Sequence, residues 1–120
     1  MEPKIVSLSV PAEAKFARCV RMTAATLAVN CDMSVDDVED IRMIAEEGFV
    51  YACATAPQAV DISFALSAGT MSMNFSLGET EADDSETELV RILLLAISDE
   101  FRISEDGRTL VLSKSDGRHV

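Results

Sequence analysis

The chain has 120 residues and a mass of 13.0 kDa, a length suited to one domain spanning 1–120 whose single core buries roughly two-thirds of the unfolded surface. With 48% hydrophobic and 26% charged residues it is too apolar for wholesale disorder, and a net charge of -11 with a pI near 4.3 would repel a phosphate backbone, arguing against nucleic-acid partners. No apolar run reaches the roughly eighteen residues of a spanning helix, and Met1-Glu2-Pro3-Lys4 lacks the basic-then-apolar pattern of a secretory signal, so a cytoplasmic protein without membrane contact is expected.

Ile5-Val6-Ser7-Leu8-Ser9-Val10 alternates and is β-branched enough to read as a strand. Pro11 suits the first turn of a helix, where its missing donor costs nothing. From Ala12 to about Val29 the positions Phe16, Val20, Thr23 and Leu27 recur at helical spacing, with Lys15, Arg18 and Arg21 toward solvent. Ser34 followed by Asp37 resembles a capping box and opens a second helix. This helix runs to about Thr55, with Val38, Ile41, Ala45, Gly48 and Ala52 on its buried stripe, Asp36, Asp37, Glu39 and Asp40 near its positive end, and Pro57 as its stop.

Val60 to Leu66 and Met71 to Leu77 both alternate as half-buried strands around Ser67-Ala68-Gly69, which predicts a hairpin. Glu79, Glu81, Asp83, Asp84, Glu86 and Glu88 crowd one stretch, read as a solvated acidic loop, because it lacks the spacing of a calcium loop. Glu88 to Ser98 is an apolar helix. Glu100 to Ile103 and Thr109 to Ser113 flank an Asp106-Gly107 turn and form a second hairpin. The order predicts an α+β two-layer sandwich: a mostly antiparallel, mixed sheet with about three helices on one face.

Cys19, Cys31 and Cys53 are odd in number, far apart and set in apolar helical patterns, so they are expected to be buried reduced thiols. His119 is the only histidine, and no metal site is expected from these soft ligands. Met22, Met33, Met43, Met71 and Met73 fall at element spacing and read as packing.

Val20-Arg21-Met22-Thr23, then Asp36-Asp37-Val38-Glu39-Asp40-Ile41-Arg42, then Glu47, taken with order, spacing and length, resemble the anti-sigma-factor serine kinases, a bacterial branch of the histidine-kinase, Hsp90 and gyrase-type ATPase fold. The likeness covers about residues 5 to 55 and resumes more weakly at Asp99-Glu100-Phe101-Arg102-Ile103 and the final strand. It implies a glutamate general base at Glu47 and, four residues later, a magnesium-holding asparagine. Here Tyr51 stands in that place, and a neutral phenol is a poor ligand for a hard cation. Its hydroxyl is expected to donate to Glu47 one turn back. The family's adenine-binding aspartate falls at Leu77; Gly78 is expected to keep the turn, and Glu79 is a displaced substitute at best. The glycine-rich lid is replaced by Asp84-Ser85-Glu86-Thr87-Glu88-Leu89-Val90, which has no glycine.

The resemblance therefore implies a non-catalytic regulatory module with a degraded ATP site, no cofactor, and Glu47 as a vestigial base. Its partner is expected to be a sigma factor or an anti-sigma antagonist, or a second copy in a homodimer, met through Arg21, Arg18 and Lys15 on the first helix. Two alternatives stay open. One is an ATP-dependent serine kinase that uses Glu47 as base and holds Mg-ATP without the asparagine; the other is a pocket repurposed for another small ligand.

Overall fold

The computed structural model describes residues 3–81 and 85–115, with the backbone alone at residues 85 and 86. Strand β1 (Lys4–Pro11) leads through a single 3-10 turn (Ala14–Phe16) into α1 (Ala17–Asn30) and α2 (Val35–Ala54). Next come β2 (Ala59–Ser67), β3 (Thr70–Ser76), α3 (Ser85–Ile97), β4 (Glu100–Ile103) and β5 (Thr109–Ser115). Asp83, Asp84 and His119 lie outside the described residues.

The five strands form one sheet in the order β1-β2-β3-β5-β4, and every pairing is antiparallel. Period-two patterning sends Val60, Ile62 and Phe64, Met71, Met73 and Phe75, and Leu110 and Leu112 into the core. Between them, Ser63, Ser72, Asn74 and Ser76 face the open side. The result is the expected α+β two-layer sandwich, helices on one face of the sheet, and the hairpin at Gly69 turns through that residue's positive φ of 73°.

Helix α2 is the centre of the helical layer and packs on β2, β3 and β5, with α1 and α3 on either side of it. Its start is an N-cap at the Ser34 and Asp37 pair read from sequence: Asp37 N–H donates to Ser34 Oγ at 3.2 Å, and the same hydroxyl donates to Asp37 Oδ2 at 2.8 Å. Ile41, Ile44, Ala45, Gly48, Phe49 and Ala52 are buried at helical spacing. Phe49, Phe64 and Phe75 are fully enclosed, each contributing about 1.5–3 kcal/mol of apolar burial. Lys114 Nζ lies 3.3 Å from Asp40 Oδ2 on α2 and donates to Ile97 O at 3.2 Å, so one cation from β5 pins α2 and caps the end of α3.

Several sequence expectations are corrected. Pro11 is the last residue of β1, paired with Ala59, rather than the first of a helix; proline is tolerated there because β1 is an edge strand. Helix α1 starts only at Ala17, and its most buried residues are Val20, Ala24 and Ala28. Phe16, Thr23 and Leu27 are half-buried, because the buried stripe runs through Val20, Ala24 and Ala28 and leaves them at its margin. Helix α3 begins at Ser85, three residues before Glu88. All three cysteines are free, but Cys19 is exposed and Cys31 and Cys53 are half-buried. Of the methionines, Met33, Met71 and Met73 are in the core, whereas Met22 and Met43 are exposed. Among the described residues, no helix is long and apolar enough to cross a membrane.

Candidate functional site

The C-terminal turns of α2, the segment that follows β3, the end of β4 and the β4–β5 turn meet around a cleft of about 340 Å³. Tyr51, Leu77, Gly78 and Glu79, which the sequence places at separate positions of one inferred site, all line it. Thr55, Thr80, Glu81, Ile103 and Gly107 complete the wall. A larger depression of about 500 Å³ lies on the open sheet face, lined by four serines with Leu8, Ile62, Asn74, Thr109 and Asp61. Its single carboxylate, Asp61, is already engaged by Ser9 Oγ at 2.7 Å, so the smaller cleft holds the more distinctive chemistry.

The cleft's floor is rigid for a local reason. Thr55, buried at the C-cap of α2, donates its hydroxyl to Ala52 O at 2.6 Å and accepts from Gly78 N–H at 2.7 Å. Its carbonyl also accepts from Thr80 N–H at 3.1 Å. The segment 77–80 is thereby drawn onto the helix end, and a Cβ at Gly78 would collide with the backbone of Thr55, Ala56 and Pro57. The turn glycine expected from sequence is thus explained by close backbone approach rather than by its φ. Ala56, just past the cap, adopts a φ of 58°, the left-handed conformation that commonly ends a helix and that glycine occupies most easily.

Tyr51 is 8% exposed and meets Phe101 edge to face, ring centroids 6.2 Å apart. The expected hydrogen bond from Tyr51 to Glu47 is not present among the described residues; the ring packs toward β4 instead. Glu47 is half-buried and does not line the cleft. Burial, and secondarily the negative charge of Glu46, push its carboxyl above the usual glutamate range. Glu79 is exposed and reaches Arg108 Nη2 at 3.5 Å, across the mouth of the cleft. Of the replacement lid stretch, Asp84 lies outside the described residues, and Thr87 is buried in the first turns of α3. Among the described residues, no cluster of His, Cys, Asp and Glu is placed to hold a metal ion.

The three basic residues expected on the first helix are not equivalent: Lys15 falls in the 3-10 turn before α1, and only Arg18 and Arg21 are on α1. Arg21 Nη1 binds Glu46 Oε1 of α2 at 3.0 Å with both side chains about one-third exposed, so much of its charge is neutralised within the fold. Lys15 is loosely paired with Glu13 at 3.7 Å and lies 5.5 Å from the Phe16 ring centroid. Arg18 is exposed. The partners Glu46 and Thr55 were missed by sequence reasoning; Thr55, as the last hydroxyl before Pro57, carried a signal as a helix-end residue, whereas Ile103 and Gly107 reach the cleft only through the register of the β4–β5 hairpin.

No family model matches the chain. It is similar to the serine-protein kinase RsbW of Halalkalibacterium halodurans, with 32% identity over 78 residues. Those residues are 65% of this chain and 43% of that protein, so the match spans less than half of the relative's length. The similarity agrees with the serine-kinase resemblance read from α1 and α2.

Proposed function

We propose that this chain is a non-catalytic, protein-binding regulatory module of the anti-sigma type, built on the histidine-kinase-like ATPase scaffold with its nucleotide site degraded. The observation that carries the reading is the lining of the cleft. Tyr51, Leu77 and Ile103 offer apolar wall, and Glu79 and Glu81 stand at the edge. Carboxylates lining a cleft oppose entry of a polyanionic nucleotide, and a buried phenol is a poor substitute for the amide oxygen that would hold magnesium. A charge-assisted hydrogen bond is worth about 1.5–3 kcal/mol, so a cleft without the metal, adenine and phosphate ligands binds ATP more weakly by several orders of magnitude.

The partner in this reading is a sigma factor or an anti-sigma antagonist, or a second copy of the chain, in the cytoplasm. Arg18 on α1 and Lys15 in the turn before it are the available cations of this face, with Arg21 contributing what Glu46 leaves unneutralised. Acidic partners fit that face better than basic ones.

A second reading, an ATP-dependent serine kinase, is favoured by two observations: the similarity to a protein named as a serine-protein kinase, and a half-buried Glu47 with raised proton affinity, a property suited to a general base. Calorimetric titration with Mg-ATP separates the two. No heat at millimolar nucleotide supports the binding module; micromolar binding overturns it. Co-purification with the host's sigma factors and antagonists, expressed one at a time, then tests partnership. Arg18→Glu is expected to weaken a true complex, and unchanged association removes the α1 face from it.

A further inference from the structure

We infer that the cleft between α2 and the segment after β3 receives a basic side chain, lysine or arginine, presented by a protein partner; this rests on the reading of the chain as a protein-binding module. Three sources of negative potential lie in or beside it. Glu79 and Glu81 line the cleft and are exposed. Glu105 and Asp106 directly precede its wall residue Gly107 without lining the cleft; Asp106 Oδ1 accepts from Ser104 Oγ at 2.6 Å and Arg108 N–H at 3.0 Å within the β4–β5 turn, so these two add charge beside the site and no direct ligand. The C-terminus of the 20-residue α2 opens on it with no basic residue in the last turn, so the Thr55 hydroxyl, bonded to Ala52 O, meets that negative helix end without a cationic side chain beside it.

The only cation reaching this edge among the described residues is Arg108, held to Glu79 at 3.5 Å with both side chains largely exposed. Such a pair is weak and is readily exchanged for an incoming guanidinium. Tyr51, Leu77 and Ile103 supply apolar surface for the methylene stem of a long cationic side chain, whose head would then lie among the carboxylates. The site is open on one side, so a free amine would bury too little of itself to be held. A side chain carried on a protein segment gains the surrounding surface as well. By its charges the cleft is a cation receptor.

The test is amide-shift titration of the whole chain with an end-blocked pentapeptide carrying one central arginine, beside the same peptide with citrulline, which keeps shape and removes charge. Saturable shifts are expected at Gly78, Thr80 and Gly107, with the citrulline peptide about tenfold weaker or more. The exposed double variant Glu79→Gln/Glu81→Gln is expected to lose about tenfold in affinity, whereas Asp36→Asn/Glu39→Gln, which removes the same charge far from the cleft, is expected to leave it nearly unchanged. Equal binding of the citrulline peptide, equal loss in both double variants, or shifts centred on the start of α2 would overturn the inference. Mg-ATP is titrated in parallel. Nucleotide shifts in the cleft sink the module reading itself, while failure of the arginine peptide without nucleotide binding sinks only this inference.

Discussion

Gly78 N–H donates to Thr55 Oγ1 at 2.7 Å, and this hydroxyl donates in turn to Ala52 O, so one buried side chain joins the end of α2 to the segment that walls the cleft. Thr55→Val keeps shape but leaves Gly78 N–H without this acceptor. Loss of about 1–3 kcal/mol in urea unfolding is expected, with Thr55→Ser recovering most of it. Amide exchange at Gly78 and Thr80 should accelerate in the valine variant more than exchange in β3. Uniform acceleration throughout the chain would mean that Thr55 is merely a core residue.

Gly48 has a different reason for being glycine. It sits inside α2, where alanine would ordinarily gain roughly 0.5–1 kcal/mol, yet a Cβ there would lie 2.8 Å from the Phe75 ring and 2.9 Å from Leu112 Cδ1. Both neighbours are fully buried and have little room to yield. Overpacking of this kind costs about 1–3 kcal/mol, so Gly48→Ala is expected to lower the urea midpoint despite its better helix propensity. A raised midpoint would show that α2 can lift from the sheet at little cost.

The central helix and both hairpins were legible because their signals are local. The Ser34 cap, the Asp106-Gly107 turn and the alternating strands each specify geometry within a few residues. The cleft was legible only as a set of family positions; that Tyr51, Leu77, Gly78 and Glu79 share one wall depends on the pairing of β3 with β5 and the reach of the β4–β5 turn. What the sequence concealed was competition between partners. Arg21 looked like a free surface cation, but Glu46, 25 residues away, claims it, and Tyr51 meets Phe101 of β4 edge to face, a ring partner far along the chain that helix spacing does not reveal. Pro11 misled because a helix-start signal and an edge-strand terminus look alike in a single sequence.

Glu47 makes a pH prediction with a definite sign. Its carboxyl titrates above the ordinary value of 4.5 in the folded chain, chiefly through burial and then through Glu46, so over that interval the folded state binds more protons than the unfolded state. Stability from this group is fully present below 4.5 and falls as pH rises through the higher folded value. Glu47→Gln mimics the protonated form at all pH values. The two proteins are expected to have similar stability in mild acid and to diverge toward neutrality, with the glutamine variant the more stable. Parallel curves across this interval would remove the buried-carboxyl account.

Tyr51→Asn restores the side chain that the resemblance implies, and it separates a single missing ligand from a site degraded as a whole. The ring is 8% exposed and packs on Phe101, so its removal is expected to cost about 3–5 kcal/mol, as for other buried aromatics. An amide left in that apolar cavity adds a desolvation penalty. If Tyr51 alone blocked nucleotide, the variant would bind Mg-ATP at micromolar levels. It is expected to show no binding, because Leu77 still offers no acceptor for adenine and Glu79 and Glu81 still line the cleft with negative charge. Calorimetry on the variant, with its folding verified by urea titration at neutral pH, decides this: nucleotide binding there would relocate the defect from the whole cleft to one side chain.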